Sequence, residues 1–504
     1  MSCLGDSMYD EEILREIFPD TTIYKDPSIT AVFKDAKIEA FLRDWMIKKL
    51  AGPDGRIENP DSLSDYISKI IPKSSDRNHL IEEARNEGIS RPFLAKVNIA
   101  FNHIKGDYCF EIPALGFNFK DTVIEPYVWE KVKDQLIAEA GGWGMVKIGY
   151  DPPVDYTPGR FTLKEFKNFC PYEVNLDAYK AARAKYENTE EWMDILLGAI
   201  DYEADGFFKE GYTDDDVWTA KHTMLTRLLP MIQPRVNLIE LAPQQTGKSY
   251  IFGKIDKYGW LAGGGSLSRA KLFLDMRPGS KTKGLVTFND YVAVDEIKSI
   301  KFTNDKEMAG ILKGYMEDGY VNVGGTKVEG EAGIIFLGNI NVNDMVNGND
   351  MFKELPEVFR DTALIQRIHG FVPGHFIPTL SSTMYKKGWA LNTEYFTEIM
   401  HAMRSKSETM HFRSMVEELV VSSSRNGDIS GREEEAVKRL CTAYMKLFFP
   451  HANEGLIHTS EFKTDFNKYC LQPAVKMQEK VLEQMAIINP EEFGDKSVAF
   501  YCYR

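Results

Sequence analysis

From Leu238 to Tyr250 the chain reads LIELAPQQTGKSY, an apolar run followed by a small and polar loop and then Gly-Lys-Ser. That order suits a phosphate cradle. Backbone N–H groups at a helix start can surround an anion, Lys248 can reach the β- and γ-phosphates, and the Ser249 hydroxyl can hold Mg²⁺. Gly247 lets the backbone come close just before the lysine. Ala242 stands where the pattern GxxxxGK[ST] begins with glycine, but it is only one methyl larger and lies at the far end of the loop from Lys248. The candidate ATP-binding residues are therefore Ala242, Pro243, Gln244, Gln245, Thr246, Gly247, Lys248, Ser249 and Tyr250. An ordinary strand-to-helix connection could carry the same tripeptide, so the loop needs corroboration.

YVAVDEI, from Tyr291 to Ile297, supplies it: an apolar strand ending in two acids. Asp295 can bind the metal through water and Glu296 can polarise an attacking water. AGIIFLGNI is another buried-strand pattern, ending in Asn339, whose amide can orient that water between the strand ends. Asparagine at a strand end is also a common turn former. Next comes ELPEVFRDTALIQRIHGF, with Arg360 and Arg367 seven residues apart. The planar charge of an arginine here could reach the γ-phosphate of a neighbouring subunit. The choice between the two stays open, with Arg367 first.

These residues need strands and helices to bring them together. NLIEL, YGWLAG, YVAVDEI and AGIIFLGNI alternate with helical patterns between Val217 and about Pro373, which predicts an α/β core with a mainly parallel sheet. Before about Asp215, helical patterns such as DAKIEAFLRDWMIKKL mix with a plausible hairpin, KVNIAFNHIKGDYCFEIPAL. Beyond Pro373 the pattern is mostly helical. The expected division is residues 1–215, a mixed α+β domain that could form a DNA-facing collar; 216–373, the ATPase core; and 374–504, a helical lid and C-terminal region.

The composition of the 504 residues, with 43% hydrophobic and 27% charged, suggests neither a disordered chain nor a membrane protein. No signal peptide is apparent in MSCLGDSMYDEEILREIF, so a cytoplasmic location without a membrane partner is expected. The six cysteines are scattered without a CxxC pair, which argues against structural zinc or a disulfide framework. A net charge of -14 excludes nucleic-acid binding by bulk attraction and leaves it to local basic elements.

The order of phosphate loop, acid-tipped strand, asparagine strand and arginine segment resembles the AAA+ ATPases, a P-loop NTPase group. DGYVNVGGTKVEGEAGIIFLGNI is similar to the stretch of MCM-type helicases where a β-hairpin precedes the asparagine strand. SGREEEAVKRLCTAYMKL is similar to their lid helix, which implies that Arg432 acts as sensor 2, with Arg439 a packing or secondary candidate. More closely, RVNLIELAPQQTGKSY, GGGSLSRAKLF, NDYVAVDEI, RDTALIQRIHGFVPG and YCLQPAVKMQEKV resemble the BrxL family, the Lon-related AAA+ proteins of BREX phage-exclusion systems. FLRDW, RPFLAKVNIAF, FCPYEVNL and EWMDILLGAIDY extend that likeness into the first domain, and the family is compatible with Ala242 at the head of the loop.

The resemblance implies an ATPase using ATP and Mg²⁺, assembled as a hexamer or double hexamer, acting on duplex DNA in antiphage defence with other BREX components. The hairpin YVNVGGTKVEGEA would place Lys327 near its tip, one cation per subunit toward a phosphate backbone. Arg277, Lys281 and Lys283 in MRPGSKTKGLVTF form a second basic loop, at the place of an MCM channel insert. Either could instead be a solvated surface loop. An ATP-driven protein unfoldase and a non-motor nucleotide switch on DNA are the competing readings. Longer BrxL proteins continue into a Lon-like region; here no glycine-rich serine segment with a spaced lysine suggests a Ser-Lys peptidase dyad, so an ATPase and not a peptidase is expected.

Overall fold

The computed structural model describes the chain except residues 1–8, 36–37, 103–105, 138–140, 155–157, 264–265, 277–281, 303, 346–348, 424–430, 495–498 and 503–504. Two compact units emerge, one of residues 1–49, 174–269 and 285–504, the other of 50–173 and 270–284. These units follow different borders from the three expected segments.

The larger unit is built on five parallel strands: β1 (Leu238–Ala242), β2 (Gly259–Ala262), β3 (Tyr291–Val294), β4 (Gly333–Asn339) and β5 (Gly370–Val372). Their order across the sheet is β5-β1-β4-β3-β2. Every residue of β1 and β3 is buried. Continuous apolar runs rather than alternating ones are what a parallel sheet covered on both faces requires. The expected parallel α/β core is thus present, and each of the four apolar runs read as a strand is one. The mostly helical region beyond Pro373 contains Thr393–Ala402, Lys406–Leu419, Gly431–Phe448 and Gln472–Ile488.

The early segment 9–49 belongs to this unit for a reason invisible in local pattern. Its strand Thr22–Lys25 pairs antiparallel with Gly388–Leu391. Behind that pair, Lys25 Nζ donates to Asp201 Oδ1 at 2.8 Å and to Thr393 Oγ1 at 2.9 Å, while Arg43 Nη2 donates to Asp201 Oδ1 at 2.6 Å. Asp44 Oδ2 accepts the Thr393 N–H at 2.9 Å. Buried charges persist only when paired in this way.

The smaller unit is a five-stranded sheet in the order Asp107–Glu111, Phe93–Asn102, Gly141–Asp151, Arg160–Asn168 and Thr122–Ile124. The expected hairpin is its first pair, in register Asn102↔Asp107; Lys105 of the expected turn lies outside the described residues. Phe93, Val97, Phe110, Val146, Ile148 and Leu163 lie in its core. Residues 270–284 add the short antiparallel pair Leu274–Asp275 and Thr282–Lys283.

Candidate functional site

At the C-terminal end of β1 the chain turns through a loop that starts a helix. Gln245 and Gly247 take φ of +60° and +83°, the left-handed region. Gly247 is required twice over, because a Cβ there would lie 2.4 Å from the Tyr202 hydroxyl. Helical residues then run through Lys248–Tyr250 and Ile251–Ile255, so the loop ends in a ring of N–H groups.

Lys248 is buried, and its Nζ donates to Pro243 O at 2.9 Å, to Ala242 O at 3.2 Å and to Asn339 Oδ1 at 3.2 Å. Burial holds its ammonium below the ordinary lysine range, with Glu240 acting the other way. Asn339 arrives beside the loop because β4 ends in register with β1, Asn339 against Ala242. The Ser249 hydroxyl donates to Asp295 Oδ2 at 2.8 Å. Asp295 Oδ1 accepts the Glu296 N–H at 2.8 Å, and Glu296 itself sits at φ +54°, exposed at the strand tip. A left-handed non-glycine residue costs about 1–2 kcal/mol and persists only where its surroundings impose it. Five expected residues from three strands therefore meet at one edge: Lys248, Ser249, Asp295, Glu296 and Asn339. A hydroxyl beside a carboxylate offers the hard oxygens that Mg²⁺ takes, so Ser249 and Asp295 fit that ion.

Residues that local pattern does not reveal support the loop. Arg227, fully buried, donates to both oxygens of Glu240, at 3.0 and 2.6 Å, and through Nη1 to Thr246 O at 2.6 Å. The acid inside the apolar strand NLIEL was the available clue, since a buried carboxylate needs a cation. Leu380 N–H donates to Gln245 O at 2.9 Å, a second tie on the loop. Tyr250, expected at the nucleotide, has its hydroxyl bound to Asp201 and 3.4 Å from Arg43 Nη1. It anchors the helix to the charged network of the early segment.

The arginines lie elsewhere. Arg367 Nε is 2.9 Å and Arg432 Nε 3.0 Å from the same Glu317 oxygen, and Arg432 Nη1 donates to Gln366 Oε1 at 3.0 Å. Asn237, just before β1, donates through Nδ2 to Arg367 O at 3.4 Å, so this cluster is at the N-terminal end of β1. The phosphate loop is at the other end, about 15 Å away at ~3.3 Å per strand residue. Arg360 is apart from the pair, held by Asp350 at 2.5 Å. Arg439 Nη2 bonds Glu435 at 2.5 Å.

Lys327 lies near the hairpin tip, one residue pair from the turn. Tyr320–Val323 pairs with Thr326–Glu329 around the two-residue turn Gly324-Gly325, both at positive φ, which leaves Lys327 opposite Asn322. Its ammonium pairs with Glu329 and sits 4.3 Å from the Tyr320 ring centroid. The Glu329 carboxylate lies on the same strand face as Lys327, and both side chains are exposed. Lys283 is exposed, in the smaller unit; Arg277 and Lys281 lie outside the described residues.

Residues 161–499 match the family described as Lon-like protease BrxL-like, ATPase domain, and residues 16–150 match BREX system Lon protease-like protein BrxL N-terminal. The chain is 26% identical over 500 residues to the Lon-like protease BrxL of Escherichia coli O9:H4 (strain HS), covering 98% of this chain and 67% of that protein. It is 27% identical over 481 residues to the Lon-like protease BrxL of Bacillus cereus (strain H3081.97), covering 92% of this chain and 65% of that protein. The chain thus spans about two thirds of the length of these relatives. No described helix is long and apolar enough to cross a membrane.

Proposed function

The chain belongs to the BrxL family and carries its ATPase domain, and on that footing we propose that it is an AAA+ motor whose nucleotide sites are each completed by a neighbouring copy in a ring. The strand order β5-β1-β4-β3-β2, with the phosphate loop after β1 and the acids after β3, supports the AAA+ reading. One observation carries the shared site. Arg367 and Arg432 are gathered on Glu317 at the opposite sheet end from their own Lys248, so they serve phosphates presented by another subunit.

Each chain then contributes two half-sites. On the loop side, Lys248 and the helix-start N–H groups hold the outer phosphates of ATP, and Ser249 with Asp295 hold Mg²⁺, which neutralises phosphate oxygens when bound. Glu296 takes the proton of the attacking water, which Asn339 orients. On the other side, Arg367 stabilises the charge that develops in transfer, with Arg432 beside it and Glu317 fixing both until they engage. Mixing Arg367→Ala with Lys248→Ala protein tests this directly. Mixed rings should regain turnover that neither parent shows; no recovery despite demonstrated subunit exchange would end the shared-site reading.

We extend the proposal to DNA as the substrate, in a hexamer or double hexamer working with other BREX components. The family and the glycine-tipped hairpin support this. A second reading is favoured by a particular feature of that hairpin: Tyr320 is 38% exposed and Lys327 beside it is paired with Glu329, an aromatic surface suited to gripping polypeptide. Phosphate release measured with duplex DNA and with an unfolded protein separates the two. Stimulation by DNA alone, with displacement of a DNA-bound roadblock, is expected; stimulation by polypeptide alone would replace DNA with a protein substrate.

A further inference from the structure

A cavity of about 900 Å³ opens in the larger unit, lined by residues that immediately precede β1, β3 and β4 together with residues of the helices beyond 400. It is a different place from the phosphate loop, which follows β1, and neither Arg367 nor Arg432 lines it. Its size matches that of small-ligand pockets, ~300–1,000 Å³.

The lining holds five cationic side chains against three carboxylates, in a chain whose net charge is -14. The carboxylates do not consume that excess. Asp290 is taken by Arg404 at 3.0 Å and by His401 at 2.7 Å, and Glu435 by Arg413 at 2.8 Å and Arg439 at 2.5 Å, with Glu417 also on Arg413. Glu331 is the third. Among the described residues neither Arg235 nor Lys406 makes an ion pair. Arg235 is held in place at a conformational cost, at φ +54°, with Nη1 against Gly319, where a Cβ would come within 2.4 Å. Backbone outliers of this kind cluster at ligand sites.

Two further features call for more than a bare anion. Gln233 lines the cavity, is only 5% exposed, and its Oε1 accepts no hydrogen bond among the described residues. A buried acceptor without a donor is costly, and a ligand hydroxyl or amino group would satisfy it. The His401 ring is stacked on Tyr258 at 3.7 Å and 7°, and 43% of its side chain remains exposed, so the stacked pair offers an aromatic wall to a ligand in the cavity it lines.

We propose that this cavity is a second nucleotide-binding site, taking a nucleoside phosphate with its phosphate at Arg235 and Lys406, a hydroxyl or amino donor at Gln233, and its base against His401. The inference does not depend on ring assembly or on hydrolysis.

The test uses full-length chain with Lys248→Ala, which silences the phosphate loop in every subunit, titrated calorimetrically with AMP, GMP, CMP and UMP, with pyrophosphate, and with a short single-stranded oligonucleotide. At least one mononucleotide should bind once per chain, and Arg235→Asn or Lys406→Gln should each weaken it about tenfold or more, a usual effect of losing one charge-assisted contact. Asparagine tolerates the left-handed backbone, and Lys406 is exposed, so folding is spared. Gln233→Leu should weaken nucleotide but not pyrophosphate. Oligonucleotide binding that responds to the same variants, at equal or higher affinity, would identify the nucleotide as part of a strand. No heat with any nucleotide, binding indifferent to Arg235→Asn and Lys406→Gln, or pyrophosphate bound as tightly as nucleotide with Gln233→Leu neutral would each overturn the proposal.

Discussion

Arg227 offers a way to separate what stabilises the fold from what shapes the phosphate loop. It is fully buried, as is Glu240, and the two share a bidentate pair at 3.0 and 2.6 Å. Arg227→Met leaves Glu240 charged and unpaired in the interior, which costs about 3–5 kcal/mol. Arg227→Met with Glu240→Leu removes both charges, and such replacement of a buried pair by apolar groups is often neutral, so stability should return to within about 1–2 kcal/mol of wild type. The loop is not repaired by the second change. Thr246 O still lacks the guanidinium that donated at 2.6 Å, and Thr246 Oγ1 lacks its partner at 3.3 Å. Losing one charge-assisted bond worth about 1.5 kcal/mol predicts roughly tenfold weaker nucleotide binding. Urea unfolding measures the first quantity and titration with a fluorescent ATP analogue the second. If the double variant regains stability and also binds nucleotide like wild type, Arg227 is a core charge and nothing more; if Arg227→Met alone is not destabilised, the burial argument itself is wrong.

Lys248→Ala should lose tight ATP binding, while Glu296→Gln should bind ATP and fail to release phosphate, because charge pairing and water activation use different groups; equal turnover by wild type and Glu296→Gln would remove Glu296 from catalysis. Because Glu329 pairs with Lys327 and competes with phosphate for it, Lys327→Ala should flatten the salt dependence of DNA binding by less than one phosphate contact, and Glu329→Gln should steepen it; identical slopes for both variants, by anisotropy across a salt series, would take the hairpin off the DNA path. Burial, reinforced by Asp290, raises the Asp256 carboxyl to about 7. The folded state then binds more protons than the unfolded one between about pH 4 and this value, so stability falls as pH rises through that window. Asp256→Asn, which keeps an acceptor for the Tyr258 N–H, should therefore raise stability at pH 8 by up to about 4 kcal/mol and leave it unchanged at pH 4; equal effects at both pH values would contradict the assignment.

The sequence by itself determined the local half of the site. Leu238–Ala242 and Tyr291–Val294 are buried strands because short, mostly apolar runs bounded by turn residues suit a sheet covered on both faces, with Glu240 the one acid inside the first, and Gly247 before Lys248 and Ser249 marks a tight strand-to-helix turn by residue type alone. Asp295, Glu296 and Asn339 were legible for the same reason: each ends such a strand, and neighbouring parallel strands end together. What only the tertiary structure decided was pairing between distant residues. Arg227 beneath the loop, the Asp201 carboxylate that takes Tyr250 and Arg43, Glu329 against Lys327, and Glu317 shared by Arg367 and Arg432 depend on which charge meets which. Periodicity specifies the face on which a residue lies, since it follows from backbone geometry over a few residues. It carries no information about the partner across that face, so the joining of residues 9–49 to the ATPase unit, and the placement of the two arginines at the far end of β1, arise only when the whole chain is packed.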